Sequence, residues 1–250
     1  MDLSGRVAIV TGAASGIGRA VCSVLAEAGA DGIVIADVDR GGAEETRAQL
    51  EALTQARGCV VEVDVSDPDQ VAAMTETASA EFGRVDILIN NAGICPMTSW
   101  DQTTLETWNR IIEVNLTGAY LCSKAVLPQM RRQKYGRIVF ISSAGAFMGS
   151  VTGHVAYGAS KAGMLALMKV VAKEFAAEGV LANAIAPGSI DTPITDSFGP
   201  EAKARYAEAA TLKRQGSPRE LADAVLYLVS QRATYVNGAT LHVNGGSLLV

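Results

Sequence analysis

Tyr157 and Lys161 stand four residues apart in the run Tyr157-Gly158-Ala159-Ser160-Lys161. On a helix this spacing puts both side chains on one face, about one turn apart. Gly158, Ala159, Ser160, Ala162 and Gly163 are small and permit close approach of another backbone or a ligand. A free phenol ionises at ~10. A neighbouring ammonium favours the phenolate and brings the group closer to working pH. The pair reads as a candidate proton donor and acceptor, although a tyrosine and a lysine at a helix start often carry no chemistry.

A second cluster lies near the start of the chain. Val7-Ala8-Ile9-Val10 is a continuous apolar run, the pattern of a parallel strand buried on both faces. Thr11-Gly12-Ala13-Ala14-Ser15-Gly16-Ile17-Gly18 follows directly, and a helical pattern runs from Arg19 to Ala28. Strand, glycine-rich turn and helix in that order make a phosphate cradle. Missing side chains let a pyrophosphate approach the backbone, and the helix N-terminus offers free N–H groups and a favourable dipole. Ile33-Val34-Ile35-Ala36 reads as a second buried strand closed by Asp37. A carboxylate about twenty residues past the last glycine is placed to meet the ribose hydroxyls of a dinucleotide.

The elements that must position these clusters alternate. A polar amphipathic helix is expected over 41–57, a third strand over Cys59–Val65, and a helix from Asp67-Pro68 to about Phe82. Ile87–Ile89 is a fourth strand ending in Asn90-Asn91-Ala92-Gly93. A long helical stretch follows over 105–133, with breaks expected near Gly118 and Pro128. Ile138–Ile141 is the fifth strand, ending in Ser142-Ser143-Ala144-Gly145, and a helix is expected from Tyr157 to Glu178. Leu181–Ile185 is the sixth strand, closed by Pro187-Gly188. Residues 190–215 form a strandless lobe, Pro218–Val229 the last helix and Thr240–Val243 the last strand. Right-handed crossovers then put helices on both faces of a seven-stranded parallel sheet. The expected architecture is α/β: one doubly wound domain over 1–250, with a small substrate lobe at about 190–215. Ligands of such sheets bind at the carboxyl ends of the strands.

Composition narrows the function classes. Apolar residues make up 49% and charged ones 19% of 250 residues, so disorder is not expected. A net charge of −5 gives no electrostatic reason to expect nucleic acid. The first strand follows Met1–Gly5 at once, with no apparent signal peptide, and no apolar run looks long enough for a membrane span. Cys22, Cys59, Cys95 and Cys122 are widely spaced, as expected of reduced thiols in a cytoplasmic protein. With His154 and His242 the only histidines, no metal site is expected.

Taken together, Thr11-Gly12-x-x-x-Gly16-x-Gly18, Asn90-Asn91-Ala92-Gly93, Asn115, a strand-end serine, Tyr157-x-x-x-Lys161 and Pro187-Gly188 resemble, in this order, the short-chain dehydrogenase/reductase family. The resemblance covers nearly the whole chain and implies a Rossmann fold binding a nicotinamide dinucleotide. It implies that Tyr157 is the general acid/base at a carbonyl or alcohol oxygen. Lys161 would tune that tyrosine and hold the nicotinamide ribose, and Asn115 would position a water linking Lys161 to solvent. Ser143 would hydrogen-bond the substrate oxygen. Counting from the strand favours Ser143, but Ser142 fits if Gly145 is the anchor, because Ser143 lies one residue farther from Tyr157 than is usual. For the cofactor, the resemblance implies contacts from Gly12, Ser15, Gly16, Ile17, Gly18, Asp37, Tyr157 and Lys161. Asp64 and Val65 would flank the adenine, and Asn90, Ala92 and Gly93 would line the groove. Pro187 and Gly188 would lead to Ile190 and Thr192 at the carboxamide.

Leu181 stands where many relatives carry arginine, and Asn244 in Val243-Asn244-Gly245-Gly246 where aspartate is more usual. Around the nicotinamide the sequence offers Cys95, Pro96, Met97, Ala144, Phe147, His154 and the lobe, mostly apolar and without an arginine cluster. His154 could touch a polar substrate group or be structural. The expected function is NAD-dependent interconversion of a secondary alcohol and a ketone, with Asp37 favouring NAD over NADP. The alternative is a 3-oxoacyl-thioester (acyl carrier protein) reductase, a group that mostly uses NADPH; a non-catalytic dinucleotide-binding regulator is further removed. The expected partners are a small-molecule alcohol or ketone and other copies of the chain in a homotetramer, with neither nucleic acid nor membrane. The tetramer expectation rests on the helix after Tyr157, whose apolar residues cover more than one face.

Overall fold

The computed structural model describes residues 1–149, 155–196 and 198–249. Seven strands pair in parallel in the order β3-β2-β1-β4-β5-β6-β7. They are β1 Val7–Thr11, β2 Gly32–Asp37, β3 Arg57–Glu62, β4 Ile87–Asn90, β5 Gly136–Ile141, β6 Val180–Pro187 and β7 Thr240–Val243. All of β1, β4 and β5 is buried, as continuous apolar runs in a doubly covered sheet require. The order reverses at β1, which pairs with β2 on one side and β4 on the other, Val10 lying opposite both Ile35 and Ile89. That reversal opens the crevice in which such sheets bind ligands.

Successive side chains on a strand point to opposite faces, and two cores result. Ala8, Val10, Ile33 and Ile35 meet the helices of one face, α1 (Gly16–Glu27), α2 (Arg40–Leu53) and α10 (Pro218–Val229), through residues such as Val21, Leu25, Leu50 and Val225. Ile9, Val34, Leu88 and Phe140 meet the opposite layer, α3 (Pro68–Phe82), α5 (Gly118–Gln133) and α7 (Val155–Phe175), through Met74, Val126, Met130, Met164 and Met168. Helix α4 (Leu105–Ile112) runs into a π-helical turn, Glu113–Thr117, and then into α5. The short α6 (Gly145–Met148) follows β5; α8 (Pro193–Asp196) and α9 (Gly199–Ala209) occupy the lobe between β6 and α10.

Several expected bounds shift. Helix α2 ends at Leu53, not Arg57, because Arg57 begins β3 in register with Gly32. β3 correspondingly stops at Glu62. The break in the 105–133 stretch is the π-turn ahead of Gly118, and Pro128 lies inside α5 without ending it. The segment from Val155 to Glu178, of mean hydropathy 1.2, is long and apolar enough to cross a bilayer, contrary to the sequence expectation; here α7 packs Met164, Leu165, Met168 and Val171 into the core.

Candidate functional site

The segments that follow β1 to β6, with Ser247 after β7, enclose a cavity of about 660 Å³ that runs from Asp37 to Tyr157 and beyond to the lobe. Its first wall is the turn after β1. Gly12 and Gly16 adopt φ of +66° and +51°, conformations that L side chains rarely take. A Cβ on Gly12 would lie 2.8 Å from Ala92 Cα, so the turn rests directly on the loop after β4. Gly18 is packed beneath this turn, where a Cβ would run into the Gly12 carbonyl, and does not line the cavity. Ser15 caps α1 without a side-chain bond to its amides, and the first turn holds no acidic residue. The N–H groups of α1 are therefore available to a phosphate.

Asp37 closes β2 at the cavity wall. Its Oδ2 accepts from Ala14 N (2.8 Å) and its Oδ1 from Asp39 N (3.0 Å), which orients the carboxylate against the glycine turn. Asp64 and Val65 line the same end. Partial burial works to raise the Asp64 pKa, but hydrogen bonds from Ser66 and Arg110 hold it below the usual carboxylate range.

At the other end, α7 is pinned to the tip of β5. Lys161 Nζ donates to Ile141 O (2.8 Å), and Ser142 Oγ donates to Lys161 O (2.8 Å). Ser142 is thus a buried brace. Ser143 is instead hydrogen-bonded to the Tyr157 phenol, and its Oγ accepts from Gly145 N (3.0 Å). Between the two serines, it is Ser143 that the structure brings to Tyr157. Burial pushes the Tyr157 phenol up and the Lys161 ammonium down to about 8. Desolvation outweighs any lowering of the tyrosine pKa by Lys161, whose ammonium is 5.7 Å from the ring centroid.

Asn115 lies in the π-turn, fully buried, and does not border the cavity. Its Oδ1 accepts from Ile94 N (2.8 Å), and its Nδ2 donates to Ile94 O (3.0 Å) and Ser160 Oγ (3.1 Å). It ties the loop after β4 to α7. Gly93 sits between Asn115 and Lys161, where a Cβ would come within 3.4 Å of Nζ. Asn90 departs from expectation. Its side chain turns under the sheet edge to Ser123 (3.0 Å) and is buried away from the cavity, which Asn91, Ala92 and Gly93 line instead. Alternation along β4 decides this, since Ile89 and Asn90 face opposite ways.

Ser15, Ile17, Pro187, Gly188, Ile190 and Thr192 all border the cavity. Gly188 N donates to Val243 O (3.0 Å), and Ala144 N to Pro187 O (2.8 Å), so the β5, β6 and β7 ends are tied together. Cys95, Met148, Ile194, Phe198 and Tyr206 also line the cavity. Burial pushes the Cys95 thiol up to about 12, against the pull of Lys161. His154 lies outside the described residues. Sequence reasoning missed Asn91, Arg110, Ser189, Tyr206 and Ser247. Of these, Asn91 carried a signal as the neighbour of Asn90 in the same motif, and Tyr206 as a member of the expected substrate lobe.

A strand-turn-helix cradle, an acidic residue at the second strand and a Ser/Tyr/Lys constellation therefore share one cavity. A family model described as enoyl-(acyl carrier protein) reductase matches residues 12–247. The chain belongs to the short-chain dehydrogenase/reductase family. As a member it is an oxidoreductase that uses a nicotinamide dinucleotide and acts on a small molecule. It is 38% identical, over the full length of both chains, to 3-oxoacyl-[acyl-carrier-protein] reductase FabG of Escherichia coli. It is 41% identical over 96% of both chains to cis-4-hydroxycyclohexanecarboxylate dehydrogenase of Sinomonas cyclohexanicum. Among solved structures, that of gox2181 superposes with a TM-score of 0.92 at 36% identity, covering 98% of this chain and 96% of the other.

Proposed function

We propose that the protein is an NAD(H)-dependent reductase interconverting 3-oxoacyl and 3-hydroxyacyl thioesters. The observation that carries this reading is the Ser143–Tyr157 hydroxyl pair, which faces a cavity whose substrate side is mostly apolar. Among the described residues, Lys161 and Arg110 are the cations that line it, and Arg110 is engaged by Asp64. Such a wall suits a neutral acyl chain better than a carboxylate. The names of the relatives support the thioester over the free secondary alcohol that the sequence first suggests.

A nicotinamide dinucleotide in this cavity would supply or accept the hydride, which leaves the chain to manage the proton at the substrate oxygen. Ser143 Oγ and Tyr157 Oη can both bond a carbonyl oxygen placed between them. As charge develops on that oxygen, the Tyr157 hydroxyl delivers its proton. Lys161, with a pKa of about 8, is mostly an ammonium at neutral pH and stabilises the phenolate left behind. Asn115 keeps Ile94 and Ser160 in place around this pair.

Asp37 supports NAD(H). Its carboxylate is held at the cavity wall, where it can accept bonds from ribose hydroxyls and would repel a 2′-phosphate. Arg40, three residues along from Asp37, pairs with Glu44 (3.9 Å). The test is reduction of acetoacetyl thioesters of coenzyme A and of acyl carrier protein, followed by the absorbance of the reduced nicotinamide, with cyclic alcohols as the competing panel. Thioesters should give the higher kcat/KM, and Asp37→Ala should erode the preference for NADH. Better turnover of cyclic alcohols would favour the second reading, a cyclic-alcohol dehydrogenase, to which the 41% relative points. Equal efficiency with NADPH would overturn the cofactor assignment.

A homotetramer belongs to the same reading. Leu105 on α4, Tyr120 on α5 and Val170 on α7 are exposed, as is Leu249 near the C-terminus. Sedimentation at micromolar concentration should give four copies; a monomer would overturn this.

A further inference from the structure

On the lobe side, the cavity holds hydroxyl groups that the proton transfer does not use. Those of Ser189, Thr192 and Thr195 are committed to the protein itself. Ser189 Oγ accepts from Gln215 Nε2 (2.8 Å), Thr192 Oγ1 donates to Ile190 O (3.3 Å), and Thr195 Oγ1 donates to Thr192 O (2.8 Å). Tyr206 on α9 and Ser247 after β7 differ. Both line the cavity, and among the described residues neither hydroxyl has a hydrogen-bond partner. The Tyr206 ring lies 6.0 Å from that of Phe198, beside the apolar wall. Ser247 belongs to a turn held against the end of α9, where Gly245 O accepts from Thr211 Oγ1 (2.9 Å) and Leu212 N (3.1 Å). The same turn backs onto the end of β6, since a Cβ on Gly188 would lie 2.8 Å from Asn244 Cα.

A hydroxyl both donates and accepts. The cations lining the cavity among the described residues are engaged elsewhere, Arg110 at Asp64 and Lys161 at Ile141 O. Uncommitted hydroxyls beside an apolar wall therefore match a neutral group that also donates and accepts. An amide is such a group, and in a pantetheine thioester one lies a single ethylene spacer beyond the sulfur. We propose that Tyr206 and Ser247 form a subsite for the pantetheine arm, their hydroxyls bonding its first amide. This rests on the thioester reading above and names the part of the substrate that the lobe selects. Coenzyme A and acyl carrier protein present the same amide, so the subsite serves thioesters of either. Tyr206 and Ser247 are half-buried, and water serves their hydroxyls in the free protein. An acyl chain that displaces this water without replacing its bonds leaves them unpaired, and that penalty discriminates.

The test compares reduction of the acetoacetyl thioesters of N-acetylcysteamine and of pentanethiol, which match in length and differ in the amide. The wild-type protein should show kcat/KM about tenfold higher for the N-acetylcysteamine thioester, the scale of one hydrogen bond. Tyr206→Phe should bring that ratio close to one, with the loss falling on KM and not on kcat. Its melting temperature should match wild type, because no intramolecular bond is removed. Ser247→Ala should lower the ratio about threefold. The acetoacetyl thioesters of coenzyme A and of acyl carrier protein should lose kcat/KM by similar factors in Tyr206→Phe. A loss confined to one of them would overturn recognition of the shared amide. A wild-type ratio of one, or an undiminished ratio in either variant, overturns the proposal while the thioester reading stands. If the wild-type protein reduces neither thioester but oxidises cyclic alcohols, the thioester reading itself falls, and this proposal with it.

Discussion

In the proposed reading Tyr157, Ser143 and Lys161 handle the proton and Ser142 braces them, a division that can be checked one residue at a time. Tyr157→Phe keeps the ring and removes the proton, so turnover should fall by about 10²–10⁴-fold while NADH still binds. Ser143→Ala should also slow turnover, since Ser143 is the tyrosine's hydrogen-bond partner. Ser142→Ala should instead lower stability by about 1 kcal/mol with a smaller effect on rate, because it removes the buried bond to Lys161 O. Steady-state kinetics and urea unfolding of the three variants separate these outcomes; a Ser142→Ala defect in rate larger than that of Ser143→Ala would reverse the assignment. Lys161 predicts a pH dependence. Burial lowers its pKa from the ordinary 10.5 to about 8. Below about 8 it is charged in both states, and folding bears the full desolvation cost, on the order of 3 kcal/mol. As pH rises above about 8, the folded state releases the proton first, the unfolded chain binds more protons, and stability rises. The cofactor-free protein should therefore gain stability between pH 8 and 10 relative to Lys161→Met. Tyr157 opposes this gain above its ordinary pKa, since burial disfavours its phenolate. Unfolding free energies measured across that range decide it.

At the scale of elements, the cradle depends on backbone contact between α1 and the turn it follows. Gly18 is the tightest point, because a Cβ there meets the carbonyl of Gly12 and comes within 2.8 Å of Asn91 Nδ2. Asn91 Nδ2 itself donates to Thr11 O and Gly12 O (2.9 Å each), joining the turns after β1 and β4. Gly18→Ala should push these turns apart and weaken NADH binding by about tenfold or more, with a loss of stability of about 1–3 kcal/mol from overpacking. Fluorescence titration alongside denaturant unfolding tests it; unchanged affinity would show that the turn yields without cost. The π-turn at Glu113–Thr117 is the second such device. π-turns cluster at functional sites, and this one brings Asn115 to the loop of Ile94.

For the whole molecule, the edge of the sheet opposite the cavity is fastened by Asp86. This carboxylate is fully buried and accepts from Val7 N (3.0 Å), Arg6 Nη1 (3.0 Å) and both Arg84 Nε and Nη2 (2.7 Å each). It joins the starts of β1 and β4, the two strands that flank the switch in sheet order. Asp86→Ala leaves the Val7 N–H buried without its acceptor and should cost about 1–3 kcal/mol in urea unfolding. NADH affinity should remain close to wild type in the folded fraction, because the cavity lies at the other ends of the strands. A loss of affinity with unchanged stability would contradict this separation between the two edges.

The sequence by itself determined the order and type of the elements and the presence of the cradle, Asp37 and the Tyr157–Lys161 pair. These signals are local: apolar runs make buried strands, glycines permit the turn, and i, i+4 spacing joins two side chains on one helix. It placed α3, α10 and β7 well because Pro68, Pro218 and the final apolar run mark their ends. Where no such marker stands, only pairing decided, as when register with Gly32 drew Arg57 out of α2 into β3. Tertiary structure also decided which serine meets Tyr157, which asparagine of the Asn90-Asn91 pair reaches the cavity, and that Arg110 meets Asp64 from 46 residues away. It decided the free-chain pKa of Tyr157 as well, because desolvation depends on everything packed around the phenol, whereas sequence shows only the charge four residues along.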